Sequence, residues 1–406
     1  MTLRIILILL MSGAWCYADA QSHKQLVKSG LEKYEEQDFK GAFEDFTAAI
    51  EMEPEEGEAY YYRGRVRYIW RQLDEAEEDL TRASDLEDDY YDAYYLRSSV
   101  YLLKKEPKKA LTDLMIAGNI REDDPDLYIV RGYVLSILRD PLAAIDDFNR
   151  ALEIDSTAGR AYYHRGVSYY ALEYYEKAAS DFTKALRHDT TEQDVHYNRG
   201  LSYFMMGKLE LAVNDFEMAT KATPNDPMPF SSLGIVLYEL GRHEEAVVSF
   251  TEAIAIDDKN AEAYFNRAAA FEEINQYDMA LEDYNKAITL DPTNPEIYNN
   301  RGSLYNRLKS YALAMDDFNE ALRQDNDFSM AIFNRGINYL SMEDYENAEK
   351  DFTRVIQLTP DDGAAFLNRG NALLNQKKLE EACENFSRAR ELGTQEASEL
   401  LRLYCE

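Results

Sequence analysis

Histidine and cysteine are scarce in this chain, five and three residues among 406. His23, His164, His188, His196 and His243 show no metal-ligand spacing, and no HExxH, Walker or GxGxxG pattern occurs. No catalytic residue, metal or cofactor is therefore expected. Acidic pairs such as Asp123-Asp124 and Asp361-Asp362 fall at turns, where helix capping accounts for them. Basic residues are also few, 44 Lys and Arg against 76 Asp and Glu, for a net charge of −32. Affinity for nucleic acid comes mainly from clustered cations, so a nucleic-acid partner is not expected. An anionic membrane surface is disfavoured for the same reason. The acidity reads instead as a solvated outer surface.

Long apolar runs are missing as well. Ile5 to Met11 follows Arg4 and precedes Ala18-Asp19-Ala20, which has the small-x-small spacing of a signal-peptidase site. Residues 1–20 thus read as a secretory signal, too short to span a bilayer, with no membrane insertion after its removal. Trp15 is too bulky for a lipobox before Cys16. The expected location is secreted or periplasmic; the uniformity of the chain favours a bacterial periplasm over a eukaryotic lumen. Only Cys383 and Cys405 would remain in the mature protein. Cys383 follows Ala382 at a site held elsewhere by Ile145, Val213, Val247 and Leu281. It reads first as a small core residue, and the even count also permits a bridge to Cys405 in an oxidising compartment.

What the chain has in abundance is one pattern. In Ala261 to Asn294, apolar residues recur with helical period in two stretches, Tyr264, Ala268 and Phe271, then Tyr277, Ala280, Tyr284, Ala287 and Ile288. Asp291-Pro292 ends the second helix, and Asn294-Pro295 opens the next with an N-cap and a first-turn proline. Asp140 before Pro141 reads as a second such cap. The place of Ala268 is glycine at Gly30, Gly64, Gly132, Gly166, Gly200, Gly234, Gly302, Gly336 and Gly370, and Ser98 once, in steps of 34 residues. Twelve residues later alanine always returns, as in Ala42, Ala144 and Ala382. Four further on comes an aromatic or leucine, as in Phe46, Leu80, Phe182 and Phe386. Small residues let two helices approach closely, and a large one fills the space beside them.

The period and the Gly, Ala, Phe and Pro landmarks resemble the tetratricopeptide repeat (TPR). The resemblance covers residues 23–396, eleven repeats without insertion. It implies an all-α, right-handed superhelical solenoid of antiparallel helix pairs. Residues 397–406 would add a capping helix with Leu400 and Leu403 facing inward.

Arginine usually precedes the glycine, as in Arg63, Arg131 and Arg335, and an acid recurs sixteen residues later, as in Asp79, Asp147 and Asp351. A cation beside a packing glycine needs a partner. Arg63 could meet Asp79 within its repeat or Asp45 of the previous one, and the sequence leaves both registers open. Either way the ladder reads as structural.

The resemblance also implies that first helices line a concave groove. Aromatics three residues before the glycine (Tyr163, Tyr197, Phe265 and Phe333 among them) would face it, and they suit either helix packing or binding. Two residues before it stand Asn198, Asn266, Asn300, Asn334 and Asn368. An amide side chain offers the donor and acceptor that an extended peptide backbone requires. The pattern is similar to the asparagine ladder in the superhelical domain of O-linked N-acetylglucosamine transferase. Asp194, Glu262 and Glu296 replace the cations of the clamp that binds acidic C-termini, so a neutral or basic segment is favoured. The expected function is a non-catalytic scaffold that binds a protein or extended peptide in the groove. The alternative is a structural subunit of a cell-envelope assembly that uses convex or end surfaces.

Overall fold

The computed structural model describes residues 23–87, 89–188 and 192–406; the expected signal at residues 1–20 lies outside them. Among the described residues there are 23 helices and no strand. They fall into two compact units. The first opens with a helix at residues 23–35 and Phe39–Met52, continues in pairs such as Gly57–Ile69 with Leu73–Leu86, and ends at Val195–Met205. The second opens at Leu209–Ala222, continues in pairs such as Ala261–Glu273 with Tyr277–Leu290, and ends at Glu396–Tyr404. Each unit is a stack of antiparallel helix pairs.

The helices begin and end for local reasons. Asp140, Asn294 and Asp362 each accept a backbone N–H of the following first turn, and Pro141 and Pro295 sit where a missing N–H costs nothing. The turn inside each pair is the same everywhere. Its middle residue has positive φ in every repeat, as in Arg71, Lys309 and Gly241. Its N–H returns to the carbonyl three residues back, and the next N–H to the carbonyl five back, as in Arg71 to Tyr68 and Gln72 to Arg67. These two bonds close the helix end in a Schellman motif. Only Gly207 and Gly241 avoid the left-handed cost by composition; nine non-glycine residues bear it.

The glycine and the aromatic explain each other. A Cβ placed on Gly132 would lie 2.6 Å from Phe148 Cε1, and one on Gly370 about 2.5 Å from Phe386 Cε1. Both rings are fully buried. Where the large residue is Leu80, the gap at Gly64 opens to 3.0 Å, and opposite Leu114 the chain carries Ser98. The first helix packs face to ring because it presents no side chain there.

The arginine ladder takes the within-repeat register. Arg63 Nε and Nη2 reach Asp79 at 2.9 and 2.7 Å, and the same fork joins Arg131 to Asp147 and Arg335 to Asp351. The acids are buried, so the bidentate geometry offsets their desolvation. The bond to Asp147 holds the Arg131 guanidinium above its usual range. Arg369 meets neutral Asn385 instead, and burial pulls its pKa down. In the first repeat Ser29 and Lys33 share Asp45, at 2.6 and 2.7 Å.

The preceding repeat is engaged too, at a different column, by the nitrogen left over. Nη1 reaches a hydroxyl or amide of the preceding repeat: Arg97 to Thr81 at 3.0 Å, Arg165 to Asn149 at 2.6 Å, Arg267 to Thr251 at 3.0 Å and Arg335 to Asn319 at 2.8 Å. One side chain thus closes its own hairpin and ties it to its neighbour.

The terminal helix Glu396–Tyr404 packs on the last pair through Ala397 and Leu401, with Leu400 partly buried against them. Leu403 does not face inward; it is 59% exposed. A helical face set by positions 397, 400 and 401 leaves residue 403 about 110° to one side. Cys383 is bonded to Cys405, which pins this short helix. A nine-residue helix with two buried side chains is marginal alone. Reduction and alkylation are therefore expected to accelerate amide exchange in residues 396–406 sharply while leaving the first unit unchanged; equal exchange in both states would contradict this.

Candidate functional site

In each unit the first helices of successive repeats touch one another, for example Pro125–Ile137 with Gly159–Ala171 and Pro295–Arg307 with Ser329–Ser341. They form one crowded side, and what lines it differs between the units.

In the first unit a groove of about 560 Å³ runs across the first helices of repeats two to five. Leu102, Val130 and Val167 contribute apolar surface, Tyr68, Leu103 and Tyr133 stand beside them, and Ser99, Ser136, Arg160 and Glu192 supply polar groups. Tyr163 and His164 complete the lining.

His164 sits against three rings: Tyr163 edge-on at 5.0 Å, Tyr133 at 5.3 Å and Phe148 stacked at 5.9 Å. Burial, with Arg160 nearby, lowers its pKa to about 4. The Asp194 carboxylate, which acts the other way, does not outweigh them; Glu192 Oε1 lies 3.9 Å from Nε2. At neutral pH the groove wall is thus an uncharged imidazole. A folded pKa below the unfolded one means that the unfolded chain binds the extra proton between about pH 6.5 and 4. This contribution to stability is complete above pH 6.5 and is lost as pH falls towards 4. In melting curves, His164→Phe should show a shallower decline across that window than the parent; parallel declines would refute it.

The residues expected from sequence to line the groove are disposed unevenly. Tyr163 is buried; its hydroxyl donates to Asp194 Oδ2 at 2.7 Å, and Asn198 Nδ2 donates to the same oxygen at 3.2 Å. These three join the first helices of repeats five and six. Tyr197 stands half-exposed on the same helix as Asn198. In the second unit Phe265 packs on Tyr284 at 6.0 Å and Phe333 on Phe352 at 5.5 Å, so both rings serve helix packing. Asn266 and Asn300 are half-exposed. Asn334 Nδ2 donates to Asn299 Oδ1 at 2.9 Å, and Asn299 Nδ2 donates to Asn300 Oδ1 at 3.1 Å. Asn368 donates to its own helix at Ala364 O.

The amides of repeats nine and ten therefore form a connected row through Asn299, which is almost fully buried. Asn299 was missed because it lies one residue from the recurring asparagine column, at a position where six of the other ten repeats carry an aromatic. Tyr133 and His164 were missed because no neighbouring repeat carries the same residue at their positions.

Among the described residues no group of His, Cys, Asp and Glu could hold a metal, and no helix is long and apolar enough to cross a membrane.

Two stacks of antiparallel helix pairs with a 34-residue period define an α-solenoid of the helical-repeat class. Family models place it further. A TPR repeat model matches residues 236–275 and 273–309, and tetratricopeptide repeat models match 125–157, 159–191, 193–226, 295–328 and 333–397. The chain belongs to the tetratricopeptide repeat family.

Similar solved structures include YrrB, described as a TPR protein with an unusual peptide-binding site. It is 28% identical, with a TM-score of 0.42 over 44% of this chain and 92% of that one. The hetero-tetramer Cut9–Hcn1 of the APC/C is 14% identical, with a TM-score of 0.48 over 97% and 98%. A tetratricopeptide repeat protein from Parabacteroides merdae is 20% identical, with a TM-score of 0.46 over 64% and 99%. No curated protein matches the chain.

Proposed function

We propose that this chain is a non-catalytic scaffold outside the cytoplasm that binds other proteins by holding an extended segment against its first helices. The observation that carries the reading is the open groove of the first unit. It joins an apolar floor to side chains able to bond a peptide backbone, which is the makeup of a recognition surface. The half-exposed amides of Asn266 and Asn300 support a second stretch of contact in the second unit. Acid at Asp194, Glu262 and Glu296 favours a neutral or basic segment.

Export is supported by the signal-like residues 1–20 and by the Cys383–Cys405 bond, which persists in oxidising compartments. Crosslinking and purification from the native host test the whole reading. Partners captured by the parent should be lost from a variant combining Tyr133→Glu with Asn266→Ala and Asn300→Ala. Partners retained in full would point to a structural role on other surfaces. The intact mass of the exported protein should match a chain that starts at Gln21, and Cys383 and Cys405 should take up alkylating reagent only after reduction.

A further inference from the structure

The two units differ in the column that ends each first helix, the column to which the groove residue Leu103 belongs. In repeats two to six it reads Ile69, Leu103, Ile137, Ala171 and Met205; in repeats seven to eleven it reads Glu239, Glu273, Arg307, Ser341 and Asn375. Ile69, Leu103, Ile137 and Met205 are 39 to 50% exposed, and Tyr133 in the groove is 44% exposed. Single exposed apolar residues need no explanation, but a row of them beside a concavity does.

The charge is balanced within the lining, where Arg160 Nε has Glu192 Oε1 at 3.8 Å, and acidic in the adjoining repeats. Arg160 lines the groove near the start of its helix, and the equivalent residues one and two repeats earlier are Asp126 and Asp92. Both are exposed, and neither forms an ion pair among the described residues. Against a chain of net charge −32, an anionic occupant such as a fatty acid is repelled. Ser99, Ser136 and Glu192 offer hydrogen bonds that an acyl chain cannot use and a peptide can.

We propose that the groove of repeats two to five selects segments of a partner protein in which bulky apolar side chains alternate with lysine or arginine, the apolar groups entering between Leu103, Tyr133 and Val167 and the cations facing Asp92 and Asp126. This rests on the protein-binding reading above and names its ligand class.

The full-length protein is tested by fluorescence anisotropy at physiological ionic strength with a short labelled peptide of alternating leucine and lysine. Its glutamate-for-lysine and serine-for-leucine counterparts are the controls, the latter reporting attraction by charge alone. The leucine–lysine peptide should bind about tenfold or more tightly than either control. Leu103→Glu with Tyr133→Glu should remove that preference, and Asp92→Asn with Asp126→Asn should weaken binding by about tenfold, both at unchanged melting temperature. Equal binding of the controls, survival in the Leu103→Glu, Tyr133→Glu variant, or displacement by oleate would overturn the proposal. A random peptide library panned on the same protein separates the two levels. Peptides retained on Leu103→Glu, Tyr133→Glu but lost on Asn266→Ala, Asn300→Ala would sink this proposal and leave protein binding standing. An empty library together with no host partner would sink both.

Discussion

Arg165→Ala is expected to destabilise the first unit by about 3 kcal/mol, because it strips a buried carboxylate of its bidentate partner and leaves only Lys184 Nζ, 3.4 Å away. Arg165 holds Asp181 by two bonds, at 2.6 and 3.0 Å, and Asn149 of the previous repeat by a third. Asp181 is 3% exposed, so water cannot replace the guanidinium. The chain supplies its own control. In repeat seven the two positions are Leu233 and Ser249, both buried, and the helix pair is intact. Copying that solution as Arg165→Leu with Asp181→Ser should therefore cost markedly less than the single change. Urea denaturation followed by helical circular dichroism compares the three proteins. A single variant as stable as the parent, or a double variant worse than the single one, would contradict the account. Peptide binding should survive in every form that stays folded, since these atoms lie between helices and not in the groove.

Gly132→Ser is expected to cost about 1–3 kcal/mol through overpacking, and Phe148→Leu should recover most of it. The new Cβ would fall 2.6 Å from Phe148 Cε1, and the ring is enclosed on all sides. Repeat three carries the Ser98 and Leu114 pairing that the double variant recreates. The coupling between the two changes, not either loss alone, is the informative quantity. Additive losses would show that glycine is there for some other reason. Repeat eight sets alanine, Ala268, opposite an aromatic ring; that ring is Tyr284, whose hydroxyl donates to Glu272 Oε1 at 2.6 Å.

The period, the helix boundaries and the packing partners were legible because each recurs at a fixed offset and each has a steric reason. The register of the arginine ladder was not. Arginine and acid both repeat every 34 residues, so offsets of +16 and −18 fit the same columns. Guanidinium geometry breaks the tie, since two nitrogens match one carboxylate and the third points backward. The backward partners, Thr81, Asn149, Thr251 and Asn319, form a column of their own that the sequence also displays. The recurring asparagines were legible as a pattern, but what Asn334 bonds to depends on Asn299, a substitution confined to one repeat. The apolar column from Ile69 to Met205 is visible only when each position is followed down the repeats separately. Averaging over repeats hides it, because the second half of the chain carries charge and amide there.

The backward-pointing nitrogen makes the second unit a fastener, with a tooth from each of Arg267, Arg301, Arg335 and Arg369. Leu233 has no donor to extend, and the residue it would have reached on the preceding helix is Glu217. Helix Leu209–Ala222 therefore meets Pro227–Glu239 without the arginine tie that the later joints of the second unit have. Under load or heat, parting within the second unit should start at this joint, so the chain carries a built-in seam at which its C-terminal repeats can peel away as a block.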